Sequence, residues 1–267
     1  MNQRTKGSAM RVQPKVWIGI VIWVAYLVIV FVIQISSGIP FPDWGKSAGN
    51  LFRAAGLSLI IATILLAITT SILGWWRPAL FDRQRSAHRW PIIAPIAMAV
   101  LAVVNLVGVD WKAYSGAFFA ASLALALVGF TEEIVHRGLL LVALRSRFSE
   151  GMVWFISTLL FGLLHLANIG LGQGVLPTLQ QALFAFGGGT VFYIFRRTTG
   201  SLIPAMILHG VWDFALFADG VGKPQAFVNV TSVLYIVVMV FALISVAWVI
   251  RGADERIGSR APAAALA

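Results

Sequence analysis

The sequence predicts an all-α fold: a polytopic transmembrane helical bundle with about eight spans. Of the 267 residues, 59% are hydrophobic and 11% are charged, and the mean hydropathy is +0.88. These values lie far outside the balance of a water-soluble domain. Apolar stretches long enough to cross about 30 Å of hydrocarbon as helices recur along the chain. We therefore exclude a soluble fold and interpret residues 1–267 as a single membrane domain.

Eight segments have the length and apolar character of a span. The first follows a basic arm, exceeds a typical signal-peptide core and lacks a small-residue cleavage site after it, so we expect it to be retained. The seventh contains Pro204, His209 and Asp213, which a helix tolerates where it lines a protein interior. Glycines 187–189 in the sixth predict a close helix contact. The predicted spans are residues 16–36, 51–74, 91–109, 115–146, 151–169, 176–195, 201–217 and 226–250.

The basic residues predict the orientation of the bundle. The net charge is +10, but the lysines and arginines fall between the apolar runs, which argues against a nucleic-acid partner. If both termini face the cytoplasm, 15 of the 20 lie on that side and four on the other. The positive-inside rule then predicts cytoplasmic N- and C-termini. We expect an integral membrane protein of a bacterial plasma membrane. We expect the tail, residues 251–267, to be disordered.

Several kinds of catalytic site are excluded by composition. The chain contains no cysteine, so a cysteine nucleophile and thiolate metal ligands are impossible. Neither the HExxH zinc motif nor the GxSxG serine motif is present. The chemistry must therefore come from other side chains.

Ionisable residues occur away from the ends of three of the predicted spans. Each costs a few kcal/mol or more in hydrocarbon, so we expect them to converge on one another or on a water-filled cavity. At 1.5 Å per residue, Glu132 and His165 both lie about 22 Å from the cytoplasmic ends of their helices. The set comprises Glu132, Glu133, His136 and Arg137 on the fourth span, His165 on the fifth, and His209 and Asp213 on the seventh.

Spacing predicts local pairs. Glu132 with His136, and Glu133 with Arg137, are i,i+4 pairs with the acid first, which is the favoured order. Asp213 lies four residues after His209, where it is expected to select the tautomer of that histidine. Two histidines with two or three carboxylates can ligate a divalent metal such as zinc, or activate water directly as a general base. Both alternatives lead to hydrolysis.

Three motifs in these spans resemble those of one family. TEEIVHRG at 131–138 resembles the EExxxR motif of the CPBP family, the CAAX proteases and bacteriocin-processing enzymes, also called the Abi family. FGLLH at 161–165 resembles its FxxxH motif, and HGVWD at 209–213 resembles its HxxxN or HxxxD motif. The resemblance covers about residues 115–217, which we interpret as the catalytic core.

The resemblance implies an intramembrane CAAX-type endopeptidase, either a metallopeptidase or a glutamate peptidase. It implies that Glu132 and His165 position and activate the hydrolytic water. Glu133, Arg137 and Phe161 would support them.

The resemblance also gives roles to the seventh span, where His209 and Asp213 would stabilise the oxyanion or complete a metal site. Some family members carry Asn at the position of Asp213, and an ionised Asp cannot donate a hydrogen bond. We therefore favour His209 as donor and Asp213 as its orienter or a metal ligand. The metal candidates are Glu132, His165 and His209, and His136, unusual for the family, is expected to be structural.

The substrate and two other functions stay open at this stage. A prenylated C-terminus, a bacteriocin precursor and another membrane protein are all compatible peptide or protein substrates within the lipid bilayer. A proton-coupled transporter is an alternative, because intramembrane Glu, His and Asp also form proton relays, although no inverted repeat is visible. A non-catalytic membrane scaffold in immunity or sorting is the other.

Overall fold

The computed structural model describes residues 10–221, 228–253 and 255–257. Helices account for 80% of this part of the chain, which contains no strand and one isolated bridge, between Phe81 and Ser201. The predicted all-α helical bundle is confirmed.

Each of the eight predicted segments forms a helix. Among the described residues, six helices are long and apolar enough to cross a membrane, namely α1 to α5 and α8. Helix α6 is more polar, with two glutamines and two arginines, and the apolar part of α7 is short, Ile203–Ala218. The count of eight spans therefore stays a prediction. The helices are α1 Val16–Ser36, α2 Ala48–Leu73, α3 Trp90–Gly108, α4 Gly116–Leu144, α5 Glu150–Ile169, α6 Val175–Thr199, α7 Ile203–Val221 and α8 Asn229–Ile250.

Helix α4 is irregular where it carries the two glutamates. A turn at residues 126–127 interrupts it, and π-helical hydrogen bonding over Ile134–Leu140 begins directly after Glu133. Such π turns inside α-helices occur frequently at functional sites. All residues of this turn are buried, so it lies inside the bundle.

Two glycines let α4 and α7 cross with their backbones in contact. A Cβ atom on Gly129 would lie 2.6 Å from the nitrogen and 3.0 Å from the Cα of Gly210, and closer still to the carbonyl oxygen of Met206. Small residues permit this approach between membrane helices. Gly129 lies one turn before the two glutamates and Gly210 directly follows His209, so the crossing brings these side chains together.

A buried ionic cluster closes one end of the bundle. Asp82 accepts hydrogen bonds from Arg145, Arg196 and Arg197, at 2.9, 2.8 and 2.5 Å. Although burial raises the pKa of Asp82, these three arginines hold it well below its usual range. We call this group the basal cluster, and it comprises Asp82, Glu150, Glu255, Arg145, Arg196 and Arg197.

The basal cluster corrects the predicted start of a disordered tail at residue 251. Glu255 is only 3% exposed and accepts hydrogen bonds from the backbone N–H groups of Arg83 and Gln84, at 3.0 and 2.9 Å. Its carboxylate also pairs with Arg197 at 3.1 Å. These contacts compensate the desolvation cost of burying the Glu255 carboxylate. Residues 254 and 258–267 of the predicted tail lie outside the described residues.

Candidate active site

Glu133 holds α4 and α7 together at the centre of the bundle. Its Oε1 accepts hydrogen bonds from Arg137 Nη1 and from His209 Nδ1, both at 3.0 Å. The predicted pair of Glu133 and Arg137 is thus confirmed. The prediction that Asp213 orients His209 is wrong, because Asp213 Oδ1 is 3.8 Å from His209 Nε2 and Glu133 binds the other ring nitrogen. Since a carboxylate accepts, Nδ1 of His209 carries a proton.

Glu132 differs from Glu133 in the hydrogen bonds that its carboxylate accepts. Its Oε2 is buried, has no hydrogen-bond partner among the described residues, and lies 3.9 Å from His209 Nε2. Glu133 also has one buried oxygen without a partner, but its other oxygen accepts two hydrogen bonds. Glu132 is therefore the carboxylate that is left available for a ligand.

The predicted pairing of His136 with the Glu132 carboxylate is wrong, and its structural role stays a prediction. Its Nδ1 donates to the backbone carbonyl oxygen of Glu132 at 2.7 Å, and its Nε2 accepts from the indole N–H of Trp23 at 3.0 Å. Both ring nitrogens are thus engaged in the neutral tautomer. Trp23 belongs to α1, and no pattern in the sequence predicts its contact with this histidine.

Phe161 lies among the charged and imidazole groups. The guanidinium carbon of Arg137 is 3.9 Å from the centre of the Phe161 ring, within cation–π distance. The ring also meets His165 and His209 edge to face, with centroids 5.5 and 5.7 Å apart. Phe192 stacks on His209 at 4.6 Å, a contact that the motifs do not include.

The glycine run in α6 makes the close contacts that were predicted. A Cβ atom on Gly189 would lie 2.9 Å from the Phe161 ring and closer still to the Arg137 guanidinium. A Cβ atom on Gly188 would likewise lie 2.5 Å from the Tyr235 hydroxyl of α8. The missing side chain at Gly189 therefore leaves room for the cation–π pair.

Two cavities meet at the site. One of about 420 Å³ lies among α3, α5, α6, α7 and α8, and His209 lines it. A second of about 120 Å³ lies towards α1, α2 and α4, and Glu132 lines it. His165, Gln181, Asp213 and Phe217 line both, so they form the boundary between the two cavities.

The predicted residues therefore separate into two groups. Glu132, His165, His209 and Asp213 line the cavities, whereas Glu133, His136 and Arg137 line neither and are almost wholly buried. His165 Nδ1 donates to the carbonyl oxygen of Phe161 at 3.1 Å, which leaves Nε2 for a ligand.

The side chains do not favour the metal alternative. His209 Nε2 and Glu132 Oε2, both metal candidates, are 3.9 Å apart. Within residues 10–221, 228–253 and 255–257, however, no three His, Asp or Glu side chains are grouped so that they could hold a metal ion. A zinc site with three protein ligands needs such a group.

Fold and site together define a polytopic membrane protein with an ionisable Glu–His cluster between two internal cavities. Residues 114–215 match the family model described as Rce1-like, type II CAAX prenyl endopeptidase Rce1-like. The three motifs all lie inside the matched segment, so the match confirms the resemblance and is consistent with membership of the CPBP family. It supports an intramembrane protease function. No curated protein and no solved structure gave a significant match.

Proposed function

We propose that the chain is an intramembrane endopeptidase in which Glu132 is the general base that activates water. The observation that supports this most strongly is the buried Oε2 of Glu132, which has no hydrogen-bond partner among the described residues. Buried polar atoms of this kind usually bind water. The adjoining cavity of about 120 Å³ exceeds the roughly 10–15 Å³ that one water needs.

The larger cavity suits the peptide. Its volume of about 420 Å³ is within the range of ligand sites, and its walls combine apolar and aromatic side chains with a few polar groups. A peptide bound there would bring its scissile carbonyl to the boundary formed by His165 and Asp213. The water would then approach from the side of Glu132.

Hydrolysis follows from this arrangement. The water oxygen forms a bond to the carbonyl carbon while Glu132 takes one water proton, and His165 Nε2 helps to orient the water. The carbonyl oxygen becomes the oxyanion of a tetrahedral intermediate. When the C–N bond breaks, Glu132 gives its proton to the leaving nitrogen, and the products are a carboxylic acid and an amine.

His209 has a separate task in this proposal. Its Nδ1–H is bound to Glu133, which fixes the ring across the α4–α7 crossing. In the imidazolium form its Nε2–H is a donor at the boundary of the cavities and can stabilise the oxyanion. Glu133 and Arg137 act as positioning residues, because they line neither cavity.

The proposal is tested in proteoliposomes with an internally quenched farnesylated CAAX peptide, the substrate class that the family description suggests. Terminal-peptide mass spectrometry of membranes expressing wild type or Glu132→Gln extends the search to prenylated proteins, bacteriocin precursors and other membrane proteins. General-base catalysis typically contributes 10²- to 10⁴-fold, so Glu132→Gln should lower kcat at least that much. Asp110→Asn, at an exposed loop position, is the matched acidic control.

The outcomes separate the candidate functions. Products that require Glu132 support the peptidase. If neither method finds a Glu132-dependent product, the proposal is wrong. A transporter would instead show solute uptake without any peptide product. A scaffold would keep its cellular phenotype in Glu132→Gln.

We further propose that the reaction needs no metal, because the described donors form no three-ligand group. Cleavage by purified enzyme should persist in a strong chelator. Loss of activity that added zinc restores would contradict this.

A further inference from the structure

Gln181 is the amide among the four side chains that line both cavities. The others are His165, Asp213 and Phe217. Gln181 lies on α6, outside the three motifs, and is partly buried. Its position at the boundary places it where the proposed scissile carbonyl would lie.

A neighbouring side chain determines which atoms Gln181 has available. Asn168 Nδ2 donates to Gln181 Oε1 at 3.0 Å, and within the described chain no acceptor is bound to the Gln181 Nε2 group. Exchanging oxygen and nitrogen in both amides would still leave one N–H of Gln181 unused. Asn168 lies in the same 3₁₀ turn as His165, His165–Ile169, so one turn holds both groups at the boundary.

The proposed reaction lacks a second donor for its oxyanion. His209 supplies at most one N–H from Nε2, because its Nδ1 is bound to Glu133. Asp213 could donate only with its carboxyl group protonated, and its ionised form would repel the developing negative charge. A neutral N–H donor at the same boundary would complete the site.

We infer that Gln181 is a catalytic residue whose side-chain N–H stabilises the tetrahedral oxyanion together with His209; this inference rests on the proposed peptidase function. A donor of this kind acts mainly in the transition state. Its loss therefore lowers kcat rather than raising KM, and removal of one oxyanion donor typically costs about 10²- to 10³-fold in kcat.

The test compares Gln181→Ala and Gln181→Glu with wild type on the same probe, the farnesylated CAAX peptide or a Glu132-dependent substrate from the membrane screen. Gln181→Glu keeps the shape and the acceptor for Asn168 but removes the N–H donors. We expect both variants to lose about 10²- to 10³-fold in kcat with little change in KM. Gln84→Ala, an exposed glutamine that lines neither cavity, should match wild type.

Two results would overturn the inference. One is an unchanged kcat in Gln181→Glu, or an effect on KM alone. The other is an equal loss of kcat in Gln180→Ala, which alters the wall of the large cavity but not of the small one. Either would leave the proposed function intact, because wild-type cleavage would still depend on Glu132. Failure to find any Glu132-dependent cleavage would instead refute the proposed function and this inference with it.

Discussion

The crossing of α4 and α7 at Gly129 gives a sharp prediction. In Gly129→Ala, the new Cβ would lie 2.6 Å from the nitrogen of Gly210, whereas ordinary van der Waals contact begins at 3.4 Å. The atoms that it meets belong to the backbone, so a change of side-chain rotamer cannot relieve the contact. The two helices must therefore separate locally by about 1 Å.

That separation acts directly on the site. The hydrogen bond between Glu133 and His209 is 3.0 Å long and joins these two helices. Lengthened by about 1 Å, it would no longer be a hydrogen bond. We expect a loss of about 1–3 kcal/mol in the free energy of unfolding from overpacking, and a roughly 10²-fold lower kcat, because a 1 Å misplacement near a catalytic group has that order of effect.

The measurement combines thermal unfolding of purified protein in lipid nanodiscs with the peptide cleavage assay. Gly116→Ala is the matched control, since Gly116 begins the same helix and an added Cβ there would meet nothing within 4 Å. Wild-type stability and kcat in Gly129→Ala would refute the reasoning that the glycine contact sets the geometry of the site.

Three further predictions concern ion pairs and orientation. Arg137→Ala leaves His209 as the partner of the buried Glu133, so the free energy of unfolding in detergent should fall by about 3–5 kcal/mol. Wild-type stability in this variant would show that the pair of Glu133 and Arg137 contributes little. Because the pKa of Asp82 is lowered in the folded protein, Asp82 should stabilise the protein above about pH 4 and progressively less as the pH falls further. In urea titrations, Asp82→Asn should reduce the dependence of the free energy of unfolding on acid pH. The same pH dependence in wild type and Asp82→Asn would contradict this. Reporter fusions at Gly220 and Ala267 should report opposite sides of the membrane, and the same side for both would refute the predicted topology.

Features local in sequence could be predicted. Apolar length predicted the helices, and the i,i+4 spacing predicted the pair of Glu133 and Arg137. His209 was assigned to Asp213 by the same spacing rule, whereas its partner is Glu133, 76 residues away. Spacing carries no information about such a contact, because it depends on how closely α4 and α7 pack.

Other site residues were missed for the same physical reason. Trp23 donates to His136 across 113 residues, and Phe192 stacks on His209 from another helix. An aromatic residue in a predicted span is usually a packing residue, so nothing in the sequence distinguishes these two.

The basal cluster shows the limit of composition as a guide to the tail. Glu255 lies 172 residues from Arg83, whose backbone N–H it accepts. The tail from residue 251 was expected to be disordered, but the Glu255 carboxylate binds buried arginines and holds residues 255–257 against the bundle. Only the packed structure brings these arginines together.

The most direct test of the proposed mechanism is a double-mutant cycle on kcat with Glu132→Gln and His165→Ala. If both groups act on one water, each single variant should lower kcat by at least about 10²-fold while remaining folded. The double variant should lose little more than either single variant, because residues that act as a unit are strongly non-additive. Multiplicative losses in the double variant would show that the two groups act independently. Wild-type hydrolysis by Glu132→Gln would contradict the mechanism outright and make Glu133 the next residue to test.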